Sequence, residues 1–388
     1  MSPLSEAVLS PRDRTISLGA VITATFGIGI FMGTTLPLIA LILEGRGVSG
    51  TLIGLNSAMP ALGVLVLGPF MATIVRAMGA MPAMLSGMAV GSLSVVLMPV
   101  LPDLWVWFLL RFLMGCGLAL PWLVGETWIN AVTTNAIRAR VIGLYSASLF
   151  GGMALGPLIV QLTGTEGFVP FLPAAGALAL AAAPLMAAWR LAPDITAAPS
   201  LRLSEVMLSA PTVAGAALVA GLSESAFFSL LPVYGTRAGL EQDAALTLLT
   251  VLIVGAIVLQ YPVGWLADRM DKRLLLALMA LATAVLAPVL IVVIGMQWLA
   301  WVLLFVLGGL ALGYYTVGLA LLGARFGPGE LAVANTAFIV LYESGTIGGP
   351  TLAGLAMDLW EPHGYIITVA AFGLGYAVLA ARRYRRAA

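Results

Sequence analysis

Four ionisable side chains stand inside long apolar runs of this sequence: Arg111, Glu126, Glu224 and Glu343. Each costs about 2.5–3.5 kcal/mol to place in hydrocarbon, so each must face a partner or a water-filled space. A carboxyl held this way can take and release a proton, and a guanidinium can balance that carboxyl or hold an anion. Glu343 shares one helical face with Asn335, Ile339 and Thr346, with Tyr342 alongside, a polar stripe on an otherwise apolar stretch. Glu224 lies between Ser223 and Ser225, and Arg111 begins the run Arg111-Phe112-Leu113-Met114-Gly115. On one helix Glu126 and Arg111 are about 22 Å apart, too far to pair, so Glu126 is expected to meet Arg76 or Arg138. Thr34, Trp122 and Tyr315 complete the set of polar or aromatic side chains near Pro or Gly bends that are expected to line a cavity. Trp122 and Tyr315 are 193 residues apart.

Other chemistries have little to work with. Cys116 is the one cysteine and His363 the one histidine, which excludes an internal disulfide or a Cys/His metal cluster. No nucleophile motif, His-rich helix or soluble domain is present, so the expectation is a protein that is not an enzyme, with no cofactor, metal or nucleic-acid partner.

The elements that must position these residues are set by composition. Hydrophobic residues make up 61% of the 388 and charged residues 9%, with a mean hydropathy of +1.07. A soluble domain carries about 25% charged residues, so lipid is the solvent for most of this surface. Apolar windows give twelve spans: 16–43, 50–75, 80–101, 104–130, 137–163, 168–190, 209–236, 243–267, 273–295, 297–323, 331–357 and 363–382. The first exceeds a signal-peptide core and is expected to be retained. Helical rise places Glu343 about 18 Å, and Glu224 about 22 Å, from the cytoplasmic starts of their spans, near the midplane. With the N-terminus cytoplasmic, only Arg46 and Arg237 of the eighteen Lys and Arg fall on the outer side. Arg111 lies within a span, leaving fifteen inside. That bias predicts a multi-pass bacterial inner-membrane protein with both termini in the cytoplasm.

The chain also repeats itself. Gly152-x-x-x-Gly156-Pro157 recurs at Gly345-x-x-x-Gly349-Pro350, 193 residues on, close to half the length. Small residues four apart followed by Pro favour close helix packing and a bend. The repeat divides the chain into an N-terminal six-helix bundle (1–190), a cytoplasmic linker (191–208) and a C-terminal six-helix bundle (209–388). Two like halves in a membrane suggest rocking around a shared site.

One cytoplasmic turn is more specific. Gly264-Trp265-Leu266-Ala267-Asp268-Arg269-Met270-Asp271-Lys272-Arg273 resembles the Gly-x-x-x-Asp-Arg-x-Gly-Arg-Arg loop signature of the major facilitator superfamily. In the first half, Arg76 stands in the place of the Asp. With Trp122-x-x-x-Glu126, this looks like the YcaD-like branch of that family. The resemblance implies an all-α integral membrane fold of twelve transmembrane helices in two pseudo-symmetric bundles. It also links Arg111 to proton coupling and the span-five Gly-Pro motif to proton-driven export.

The resulting expectation is a monomeric secondary transporter, moving a small-molecule organic substrate by alternating access with protons as coupling ion. Efflux by antiport is preferred over uptake symport, and a non-transporting receptor or scaffold is the alternative of another class. Glu343, Glu224 and Arg111 are expected to handle protons or substrate. Thr34, Asn335, Tyr342, Thr346, Tyr315 and Trp122 are expected to line the cavity. Asp268, Arg269, Arg273, Arg76 and Glu126 are expected to form a cytoplasmic gate, with Asp268 capping or pairing with a neighbouring helix N-terminus.

Overall fold

In a computed structural model, residues 10–133, 137–192, 210–326 and 328–387 are described. Among them the chain is helical throughout, with no strand. The first half holds α1 (Pro11–Gly45), α2 (Gly50–Met78), α3 (Ala80–Leu97), α4 (Leu104–Val132), α5 (Arg138–Thr163) and α6 (Leu172–Ala187). The second holds α7 (Pro211–Arg237), α8 (Gln242–Val258), α9 (Gln260–Arg269), α10 (Lys272–Val293), α11 (Gln297–Arg325), α12 (Pro328–Leu359) and α13 (Gly364–Ala387). Most of the expected linker, from 193 onward, lies outside the described residues.

Eleven spans are long and apolar enough to cross a membrane, α8 and α9 counting as one. The twelfth helix of spanning length, α12, interrupts its apolar run with Asn335, Tyr342, Glu343, Ser344 and Thr346. The eighth span is not the continuous helix expected over 243–267. It breaks at Leu259, because Pro262 has no N–H for the Val258 carbonyl and its ring crowds that group.

Polar side chains fix the helix starts. Ser10 and Ser49 accept the backbone N–H of Asp13 and Leu52, Asp103 caps α4, and Asp271 caps α10. Large apolar side chains such as Leu162, Leu180, Val292 and Trp298 point outward, as lipid allows. Trp107, Trp128, Tyr234 and Tyr314 are buried. The indole of Trp128 donates to Ser17 Oγ at 2.7 Å, and the Tyr314 hydroxyl donates to Thr283 Oγ1 at 2.6 Å.

The packing is two-fold repetitive. α1 packs on α5 as α7 packs on α12, α2 on α4 as α8 on α11, and α3 on α6 as α10 on α13. The halves meet through α2 against α12, α5 against α8, and α1 against α7.

Candidate functional site

The Gly-Pro repeats set the positions of the acidic residues. Gly345 and Gly349 of α12 lie against the backbone of α7 at Leu218 and Leu222, while Gly152 and Gly156 of α5 lie against α1 from Phe26 to Gly33. A Cβ at Gly156 or Gly349 would overlap the facing backbone, so only glycine permits these crossings. Pro157 and Pro350 follow inside unbroken helices.

The α7–α12 crossing brings Glu224 and Glu343 together. Their residues are 7% and 5% exposed, and each carboxyl lies within the other's field. The Tyr342 hydroxyl donates to the Glu224 carboxyl, whose Oε2 is left without a hydrogen-bond partner. Tyr315 of α11 stands in the field of Glu224, Glu343 and Glu126. Its ring meets those of Phe338 and Tyr342 edge-on, both at 5.2 Å. From the first half, Tyr145 of α5 faces Tyr315 and Glu126. The Trp122 indole donates to Glu126 Oε1 at 2.7 Å, and these two, Tyr145, Tyr315, Tyr342, Asn335 and Thr346 are all half-buried. Thr346 Oγ1 donates to the Tyr342 carbonyl, 3.1 Å, and Thr34 Oγ1 is buried without a partner.

Arg111 and Arg76 are placed as follows. Arg111 is 1% exposed, and its Nε donates to the Asn56 carbonyl at 3.4 Å, with no carboxylate among the described residues in ion-pair range. It points at the α2 backbone rather than at the acidic pair, because α4 packs on α2. Arg76 turns to Thr73 of its own helix, 3.4 Å, and the side chain of Arg138 lies outside the described residues.

The loop between α9 and α10 also differs from expectation. The helix cap is Asp271, accepting from the N–H of Arg273 and Leu274 at 2.8 and 3.1 Å, whereas Asp268 is exposed and caps nothing. Asp271 sits immediately before α10, and Asp268 is still within α9. Arg269 stacks on the Trp265 ring, 4.0 Å from its centroid.

At the opposite end of the helices is a charged cluster of which the sequence analysis names only Arg237. Arg237, ending α7, donates from Nε and Nη2 to Glu44 at 2.9 and 2.8 Å. Its Nη1 reaches Asp358 at 3.4 Å and Glu361 at 3.6 Å. Asp358, in the last turn of α12, accepts from Gly50 N, Thr51 N and Thr51 Oγ1 at 2.7–2.8 Å, tying α12 to the start of α2. On the other side, Gln161 of α5 donates to the Asp243 carbonyl and Thr247 Oγ1 of α8 at 2.8 and 3.0 Å, and Thr165 donates to Gln242 at 3.3 Å. Glu44 and Arg237 are 193 residues apart, the repeat offset, and that coincidence was the available signal.

This end therefore joins the halves, while at the other end Arg269 and Arg76 bond, among the described residues, within their own helices. The site is an acidic, phenol-lined face between two bundles closed at one end, a geometry suited to binding a solute rather than to bond chemistry.

Known proteins agree with this architecture. The sequence profile of the Major Facilitator Superfamily matches residues 21–255 and 213–388. The uncharacterised MFS-type transporter YfkF of Bacillus subtilis is 28% identical over 353 residues, 88% of this chain and 89% of that protein. An uncharacterised MFS-type transporter of Yersinia pestis is 25% identical over 288 residues, 72% and 73% of the two chains. Among solved structures, a point mutant of the nucleoside transporter NupG superposes with a TM-score of 0.75 at 14% identity, covering 96% of this chain and 99% of NupG. A bacterial homologue of the lysosomal transporter Spinster, in an inward-facing, unoccupied conformation, gives 0.72 at 14% identity with 97% of each chain covered. With two bundles of long helices, eleven of them apolar enough to span a membrane, and a family match over nearly its whole length, this chain belongs to the major facilitator superfamily and is a membrane transporter rather than an enzyme.

Proposed function

We propose that the protein exports a small organic solute across the bacterial inner membrane in exchange for protons, by alternating access between bundles 1–190 and 209–388. The observation that carries this reading is the buried Glu224–Glu343 pair facing the first-half Tyr145 through Tyr315. A carboxyl between the bundles can exchange a proton, and a change of occupancy there can displace it. The Arg and Lys bias supports placing the Arg237 end outside and both termini in the cytoplasm, so the structure is read as inward-facing. The Asp268 loop and Arg76 support a place in the YcaD-like branch.

In this reading Asp268, Arg269, Arg273, Arg76 and Glu126 form the cytoplasmic gate. Arg111 acts on the α2 backbone, and through it on the seal that α2 makes with α12. The protein works as a monomer, since each chain holds both bundles.

Reconstitution in proteoliposomes with an imposed pH gradient tests the coupling. Solute movement should follow the gradient in the native protein and fall at least tenfold in Glu343→Gln and Glu224→Gln. Gradient-driven transport unchanged in both variants would falsify proton handling by this pair.

A further inference from the structure

We propose that the exported solute is an organic cation, an amine or quaternary ammonium carried on an apolar or aromatic body. This rests on the transporter reading above and names its substrate class.

The face between the bundles is acidic on balance. Glu224 and Glu343 are both more than nine-tenths buried, and Glu224 Oε2 has no hydrogen-bond partner. Among the described residues no basic side chain pairs with either one. The nearest intramembrane guanidinium by sequence motif, Arg111, is committed to the Asn56 carbonyl, and the ion pairs of Arg237 are all at the closed end. An anionic solute would meet two carboxyls and no counter-charge, whereas a cation supplies the missing charge itself.

The surrounding rings fit the same ligand. Tyr315, Tyr342 and Phe338 form a contiguous aromatic cluster with centroids 5.2 Å apart beside the acidic pair, and Tyr145 faces it from the other bundle. Faces of Tyr and Phe attract ammonium groups, by about 0.5–2 kcal/mol each depending on desolvation. Such aromatic faces accept the apolar body of an amine with little directional demand. Proton and cation then compete for the same two carboxyls. Arrival of one releases the other, so exchange follows from a single site without a separate coupling residue.

The test uses the full-length protein in lipid nanodiscs, with thermal stability as readout and three permanent or protonated cations as probes: benzyltrimethylammonium, tetraphenylphosphonium and a long-chain tertiary amine. Benzyl alcohol and phenylacetate serve as neutral and anionic counterparts. At least one cation should raise the melting temperature in a saturable way that the neutral and anionic compounds do not reproduce. Its half-saturating concentration should rise tenfold or more in Glu224→Gln and in Glu343→Gln, and with falling pH in the native protein. Equal stabilisation by phenylacetate, or none by any cation, overturns the proposal. Should a Gln variant fail to fold, the cation-against-anion comparison on the native protein still decides. Spin-label distances across both ends, taken in parallel, separate the two readings. Distances that switch while cations fail to bind remove only the substrate class, and distances that never switch remove the alternating-access reading beneath it.

Discussion

The two flanks of the closed end occupy matching positions in the repeat and are built from different chemistry. Thr165 and Asp358 are one repeat offset apart, as are Gln161 and Gly354. On the α5–α8 flank the contacts are neutral, from Gln161 and Thr165 to Asp243, Thr247 and Gln242. On the α2–α12 flank the backbones touch at Gly50 and Gly354, and a carboxylate caps the start of α2 while also meeting Arg237. A carboxylate at a helix N-terminus gains from unsatisfied N–H groups and from the helix dipole, which neutral amide contacts do not. The difference teaches that the seal is held unevenly. One flank is pinned by charge and the other is only fitted, so opening should begin on the α5–α8 side.

Breaking the shared centre should have the largest effect. Arg237→Ala leaves Glu44, Asp358 and Glu361 without their cation, and the fraction of molecules open at this end should rise tenfold or more, the equivalent of about 1.4 kcal/mol. The measurement is the spin-label distance between Gly45→Cys and Glu241→Cys in a Cys116→Ala background. Reversal sharpens the same point: Glu44→Arg and Arg237→Glu should each open the seal, and the double variant should close it again. A double variant as open as the singles removes the ion pair from the account.

Asp358→Ala should rank second, opening the seal about fivefold, because loss of an N-cap typically costs about 1 kcal/mol. Opening should be confined to labels on α2 and α12. Gln161→Ala on the neutral flank should rank last, at about twofold, in line with the loss of neutral hydrogen bonds each worth about 0.5–1.5 kcal/mol and partly replaced by water. If Gln161→Ala opens the seal as far as Asp358→Ala does, the flanks are equivalent and the uneven seal is wrong.

What the sequence made legible follows from which forces act locally. Helix existence and number depend on apolar run length, and the twelve windows match the helices to within a few residues, apart from the Pro262 break. The closeness of Glu224 and Glu343 was not readable from either span alone, since it depends on which faces the Gly345–Gly349 crossing turns inward. The same limit explains Arg111, whose charge suggested a carboxylate but whose neighbour is the α2 backbone. Asp268 drew attention through its motif, yet Asp271 stands at the helix boundary where a cap must be. Arg237 counted only toward topology and Glu44 not at all, because a charge at a span end says nothing about what stands across from it. Tyr145 carried no local mark, and only the meeting of α5 with the second bundle gives it a place beside Tyr315.

The Glu44–Arg237 pair joins the ends of α1 and α7, matching helices of the two copies, at positions within one residue of each other in the repeat. Positions related in this way meet at the axis about which the copies are arranged, so a homodimer of either half would set Glu against Glu or Arg against Arg there. Opposite signs at that place are possible only for unlike partners. The ion pair thus acts as an identity check on assembly, and if the halves are expressed as separate polypeptides, first-half fragments should seek second-half fragments in preference to each other.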